Sequence, residues 1–157
     1  MGGEVVKPII LDLCGGSGAW SKPYSDAGYD VRIVTLPDND VRTYEPPDNV
    51  HGVLAAPPCT DFSFVLNEKI ERKFNEGLKI VTACQRIIEK AKPKWWALEN
   101  PRGHLRRFLG KPPLTFQPWE YGDPWTKCTD IWGNYRIPAP IYKNWNDVPK
   151  NPTLYIR

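Results

Sequence analysis

VVKPIILDLCGGSG, residues 5–18, decides how this chain reads. Val5 to Leu13 is a run of mostly branched aliphatic residues without a helical period, the mark of a buried strand. It leads into Asp12-Leu13-Cys14-Gly15-Gly16-Ser17-Gly18, and a short helix is expected from Ser17 or Gly18 to about Ala27. Glycines let a backbone approach a ligand closely, and a helix N-terminus favours negative groups. The stretch is not G-x-G-x-x-G, and it lacks the Gly-Lys-Ser/Thr of a phosphate loop. A nucleoside carrying an amino-acid tail fits it better than a pyrophosphate. A plain tight turn from strand to helix is the competing reading.

The pattern continues outward. A second strand is expected at Val31–Leu36, a turn at Pro37–Asp40, and a third strand at Val50–Ala55 ending on Pro57-Pro58-Cys59. Residues 67 to 92 carry Ile70, Phe74, Leu78, Val81, Ile87 and Ile88 near helical spacing, and Pro93 stops them. Lys94–Leu98 is a further apolar strand, followed by Glu99-Asn100-Pro101. A basic segment, Arg102 to Lys111, precedes two strands expected near Leu114–Tyr121 and Thr129–Tyr135. Strands alternating with helices imply an α/β architecture with a mostly parallel sheet, whose ligands sit at the carboxyl ends of the strands. Three unusual stretches, at residues 12–18, 57–63 and 99–103, each follow a strand and so converge on one edge.

Composition sets bounds. The 157 residues suit one domain; hydrophobic residues are 41% and charged residues 25%, ordinary for a soluble globular chain. No apolar run reaches membrane-spanning length and no signal peptide is seen, so a cytoplasmic protein without membrane contact is expected. Cys14, Cys59, Cys84 and Cys128 lie far apart with only two histidines, which argues against a zinc site or a disulfide framework. A net charge of +3 permits nucleic-acid binding without demonstrating it. The 17 prolines and seven tryptophans are concentrated after residue 93, giving a loop-rich second half.

Two stretches carry candidate chemistry. In Ala55-Ala56-Pro57-Pro58-Cys59-Thr60-Asp61-Phe62-Ser63 the two prolines leave the backbone few conformations and fix where Cys59 points. A partly exposed cysteine at a strand end is a setting in which a thiolate is accessible; a small buried cysteine is the alternative. In Trp95-Trp96-Ala97-Leu98-Glu99-Asn100-Pro101 a carboxylate sits at the end of an apolar strand. Lodged in a cleft, Glu99 would have a raised pKa and pass a proton near neutrality.

DLCGGSG, PPCTDFS and ENP, in that order and spacing, resemble the cofactor, nucleophile and catalytic-glutamate motifs of the cytosine-C5 methyltransferase family. Tyr121-Gly122-Asp123-Pro124-Trp125-Thr126-Lys127-Cys128-Thr129 is similar to the motif that follows them, and Asp40-Val41-Arg42 to the one contacting the cofactor adenine. The resemblance covers residues 9 to about 134. It implies a Rossmann-like fold and transfer of a methyl group from S-adenosylmethionine, which leaves as S-adenosylhomocysteine, to C5 of cytosine in single- or double-stranded DNA. Cys59 would add to C6, Glu99 would protonate N3, and elimination would free the cysteine. A duplex base would first be flipped out. The resemblance places Cys59, Glu99, Asn100 and Pro58 in the catalytic set. Around the cofactor it places Asp12, Leu13, Cys14, Gly15, Gly16, Ser17, Gly18, Asp40, Val41 and Pro57. Toward the nucleic acid stand Ser63, Arg102, Arg106, Arg107, Trp125 and Lys127, and no metal is expected. Amino-methyltransferases put Asp, Asn or Ser before the two prolines; Ala56 stands there and favours the C5 chemistry.

Departures are specific. The family has ENV where Pro101 follows Glu99-Asn100, an acid at the end of the second strand where this chain ends Val34-Thr35-Leu36 and so has Thr35, and alternating arginines where it has Lys127 and Thr129. Arg136 to Arg157 is too short for a target-recognition region, so residues 1–157 read as a single catalytic domain without one. Sequence recognition is then low, supplied by a partner chain, or directed at something smaller than duplex DNA. The other readings are an enzyme acting on RNA or a free cytosine nucleotide, and a catalytically silent module that binds nucleic acid or a true methyltransferase.

Overall fold

The structure, a computed structural model, describes residue 3, residues 5–62 and residues 74–149. Its centre is β1 (Ile9–Leu13), every residue of which is buried, as a strand flanked on both sides and covered on both faces requires. Beside it lie β2 (Asp30–Val34) and β3 (Val50–Ala55), then β4 (Trp95–Pro101), β6 (Thr129–Asn134) and β5 (Leu114–Phe116), in the order β2-β1-β3-β4-β6-β5. The four strands β1 to β4 are mutually parallel, but β6 runs antiparallel to both β4 and β5. The expected mostly parallel sheet is thus mixed at one end. Residues 117–128 join β5 to its neighbour β6 without a crossover helix, so the chain reverses and the pairing must be antiparallel.

α2 (Phe74–Ala91) covers one face of the sheet. Gly77, Val81, Cys84 and Ile88 recur at spacings of four, three and four, which puts them on one stripe against Leu11, Leu13, Val53 and Leu98. Residues 67–73 of the expected helix, Ile70 among them, lie outside the described residues. The other face has a smaller core of Ile10, Leu54 and Ala97, topped by aromatic rings. α1 (Lys22–Asp26) lends it Tyr24, stacked on Trp95 with ring centres 5.3 Å apart. Gly52 makes room for that indole, since a Cβ there would stand 2.3 Å from its ring. The rest of this face is an aromatic cleft of about 550 Å³ that includes Trp20, Phe116, Tyr121 and Tyr135.

Several boundaries differ from expectation. α1 begins at Lys22 and spans five residues, because Pro23 sets its first turn and residues 14–21 form a separate turn. The helix N-terminus expected at Ser17 or Gly18 is therefore absent. β4 continues through Glu99 and Asn100 to Pro101, since β6 pairs with it to the end. The strand expected over Leu114–Tyr121 stops at Phe116 and becomes a 3-10 turn, Pro118–Tyr121, where the Glu120 carboxylate accepts from Gln117 N–H. No helix among the described residues is long and apolar enough to cross a membrane.

Candidate active site

The glycine turn folds back over the carboxyl ends of β1 and β2. Cys14 (φ 58°), Gly16 (φ 54°) and Gly18 (φ 74°) take left-handed conformations. Cys14 N–H donates to the Val34 carbonyl at 2.8 Å, and Gly18 N–H donates to Gly15 at 2.9 Å. Asp12 lies fully buried beneath the turn. It accepts a 2.5 Å hydrogen bond from the Ser21 hydroxyl on Oδ2, while Oδ1 has no partner among the described residues. Burial pushes its carboxyl up, against the lowering effect of Ser21. A Cβ on Gly15 would stand 2.3–2.5 Å from the Asp12 carboxyl atoms, and that short buried side chain has no other place to go. Gly15→Ala is therefore expected to cost about 1–3 kcal/mol, read as a lowered urea midpoint, and to weaken whatever the turn binds.

The turn opens onto a cavity of about 280 Å³ that gathers Cys14, Asp40, Val41 and Pro58 from three separate loops. Leu36, at the end of the expected second strand, lines it too, as do Asn39 and Ile80, which no sequence motif marks. Where the family has an acid after the second strand, the turn at 37–40, closed by Asn39 N–H donating to the Thr35 carbonyl, presents Asn39 instead. Asp40 is bound by Arg42, whose Nε and Nη2 approach its carboxylate at 2.9 and 2.6 Å and whose backbone N–H donates to it. Those contacts hold the Asp40 carboxyl below the usual range. Leu13 faces the core with no exposure and offers only its carbonyl, which accepts from Ala56 N–H. Gly16 and Ser17 are exposed on the turn, Gly18 is buried, and Pro57 is buried behind Pro58.

Hydrogen bonds stitch the expected nucleophile turn to the glutamate strand. Asn100, fully buried in β4, donates from Nδ2 to the Pro57 carbonyl at 2.9 Å, and its Oδ1 has no partner among the described residues. Phe62 N–H closes the turn onto the Cys59 carbonyl; the Phe62 carbonyl in turn accepts from His104 N–H at 2.8 Å. That last approach requires Gly103, where a Cβ would stand 2.2 Å from the Phe62 oxygen. Arg102 N–H donates to the Cys128 carbonyl, tying in the loop that carries Lys127. Cys59 itself is half-buried. Ser63 lies outside the described residues.

Glu99 pairs with Ile131 across the sheet. Burial raises its carboxyl pKa and the Lys127 ammonium partly opposes the rise. A carboxyl whose pKa is higher folded than unfolded binds its proton more tightly in the folded state. Stability therefore falls as pH climbs from the ordinary value near 4.5 through the raised one. Glu99→Gln removes that titration, so its melting temperature should gain on that of the parent as pH rises from acid to neutral. An unchanged difference across that range would count against a raised Glu99 pKa.

The basic segment divides. Arg102, Arg107 and Lys111 are exposed. Arg106, expected to meet phosphates, is instead committed to Asp130, which is fully buried: Nε and Nη2 reach its two carboxylate oxygens at 2.6 and 2.5 Å, and Nη2 also reaches Thr115. The reason is topological, since β6 brings an otherwise uncompensated carboxylate beneath α3 (Arg106–Leu109). Thr129 is buried and donates to the Lys127 carbonyl, and Trp125 is 46% exposed.

A family model for C-5 cytosine-specific DNA methylase matches residues 22–111, more than half of the 157. The chain belongs to that family. Among solved structures, this chain is similar to a protein encoded within an E. coli prophage and described as a DNA modification methyltransferase. The TM-score is 0.58 at 16% identity over 81% of this chain and 46% of that one. That likeness is one of fold, and the chain spans less than half the length of the protein it matches. A second structure, described as a DhpI–SAM–HEP complex, aligns at 10% identity over 80% of this chain and 63% of that one, with a TM-score of 0.36, too low to carry an argument. No match is found among curated proteins.

Proposed function

We propose that this chain methylates C5 of cytosine in DNA through a covalent Cys59 adduct, with S-adenosylmethionine as the donor. The observation that supports it is the Asn100 bond to Pro57. Through it the Pro-Pro-Cys turn and the Glu99 strand form one hydrogen-bonded unit at the carboxyl end of the sheet. The cavity beside that unit fits the donor: it joins the glycine turn, Asp40, Val41 and Pro58, and the buried Asp12 oxygen beneath the turn is left with an accepting lone pair. Asp40 and Val41 would hold the adenine, and the turn backbone from Cys14 to Gly18 the amino-acid tail. Bound there, the donor supplies an electrophilic methyl group.

The chain supplies the rest. The Cys59 thiolate adds to C6 and so makes C5 nucleophilic. Glu99, whose carboxyl burial pushes up, donates a proton to N3 and relieves the charge that develops in the ring. After C5 is methylated it loses its proton, the sulfur–C6 bond breaks, and the thiolate is restored. Lys127 is close enough to act on the Glu99 carboxyl and keeps a cation beside the base. Arg102 and Arg107 face solvent, where phosphates would lie. Glu99→Gln should lower transfer by about 10²–10⁴-fold in a single-turnover assay, and a change below threefold would remove Glu99 from the chemistry.

Thr129 favours a second reading, a catalytically silent module. Its buried hydroxyl is spent on the Lys127 carbonyl and cannot grip a base as an arginine would. Tritiated methyl transfer to duplex DNA, single-stranded DNA, RNA and cytosine nucleotides, with mass spectrometry of the base, decides between them. Label recovered as 5-methylcytosine establishes the enzyme and its substrate. Calorimetric donor binding without label points to a missing partner chain, and no binding at all to the silent module.

A further inference from the structure

Cys14 and Cys84 take no part in the proposed methyl transfer, yet they meet where the glycine turn rests on α2. Cys84 is fully buried on the stripe that carries Val81 and Ile88 into the core. Ile80, one helical turn before it, lines the 280 Å³ cavity together with Cys14. Cys14 is half-buried, packs against the cluster that contains Cys84, and is reachable from that cavity. The Cys14 and Cys84 side chains face each other across that packing and interact, and both cysteines are free.

We propose that Cys14 and Cys84 are an oxidative modification site, a dithiol that reacts with hydroperoxides and closes as a disulfide beneath the glycine turn. The Cys14 sulfur attacks one peroxide oxygen, the O–O bond breaks, and water (or an alcohol) leaves with the thiol proton, giving a Cys14 sulfenic acid. The Cys84 sulfur then attacks the Cys14 sulfur; the S–S bond forms, the S–O bond breaks, and a water departs with the second proton. Two thiols are oxidised and one peroxide is reduced. The order of attack follows from the environment. The interaction with Cys84 lowers the Cys14 pKa, outweighing burial and the nearby Asp12 and Asp40 carboxylates, while Cys84 is pushed up. Access agrees, because the peroxide reaches Cys14 through the cavity and Cys84 only resolves the product. Closing the pair into a disulfide draws Cys14 and the left-handed turn behind it toward α2.

The effect on the donor rests on the function proposed above; the disulfide itself does not. The full chain is treated with hydrogen peroxide, blocked with N-ethylmaleimide, digested without reductant and mapped by mass spectrometry. A linked peptide pair containing Cys14 and Cys84, lighter by two hydrogens and lost on reduction, is expected. Cys84→Ala should leave a dimedone-reactive sulfenic acid on Cys14 and no link, and Cys14→Ser should leave Cys84 unmodified by peroxide. Calorimetry should show S-adenosylmethionine binding at least tenfold weaker to the oxidised chain and restored by dithiothreitol. If the link forms but the reduced chain binds no donor, the dithiol stands and the cofactor reading falls. Peroxide that leaves Cys14 unmodified, or that links it to Cys59 or Cys128, overturns the proposal.

Discussion

Cys59→Ala is expected to abolish methyl transfer, by roughly 10³-fold or more, while leaving S-adenosylmethionine binding unchanged. Only the sulfur is lost. The turn around it is held by backbone groups, Phe62 N–H on the Cys59 carbonyl and Asn100 on the Pro57 carbonyl, and neither depends on the side chain at 59. The cavity assigned to the donor is lined by Pro58 and Cys14, not by Cys59. Without a thiolate to add at C6, C5 stays a poor nucleophile however well the base is held. Parallel calorimetry and single-turnover label transfer separate the outcomes. Transfer that survives the substitution would rule out the covalent route.

Arg106→Ala is expected to destabilise the fold by about 3–5 kcal/mol, a large share of the stability of a domain this size. The guanidinium binds both oxygens of Asp130, which has no exposure, so truncation leaves a buried carboxylate with only Thr115 beside it. Arg106→Lys keeps the charge but loses the two-pronged geometry and should recover part of the loss. Replacing both partners, Arg106→Met with Asp130→Leu, should recover more than either change alone, because no charge is then stranded. Urea denaturation measures all four proteins. Were Arg106 a phosphate contact instead, its loss would leave the urea midpoint alone and reduce the salt dependence of DNA binding by about one phosphate.

These two residues show what a sequence discloses and what it hides. Asn49 and Pro57 bracket a run that is apolar apart from His51, so β3 falls at Val50–Ala55 as expected. The glycines at 15, 16 and 18 announce a turn because few other residues adopt its backbone. Their spacing does not say that Gly15 must clear Asp12; that depends on a side chain folding back beneath the turn. Pro23 marked the true start of α1, a signal outweighed by the glycines before it. Arg106 looked like one more surface cation because its partner is 24 residues away on β6, a strand whose direction the local pattern does not set. Asn39 is hidden in the sequence for a similar reason. A polar residue in a turn is unremarkable until the turn is seen to close over a cavity.

The order of the strands also bears on how the molecule behaves at high concentration. An edge strand offers unpaired backbone groups to other chains, and the two edges here are poor templates for that. β2 turns outward with Asp30 and Arg32, paired at 2.8 Å and both exposed, so a chain docking alongside would have to strip water from an ion pair. β5, at the opposite edge, is three residues long and lies between Pro112-Pro113 and Pro118, which cannot donate to a ladder. Strand-by-strand growth into fibrils is disfavoured at both ends. Self-association in concentrated solution should therefore begin on the aromatic face of the sheet, and should respond to mild apolar additives rather than to agents that compete for backbone hydrogen bonds.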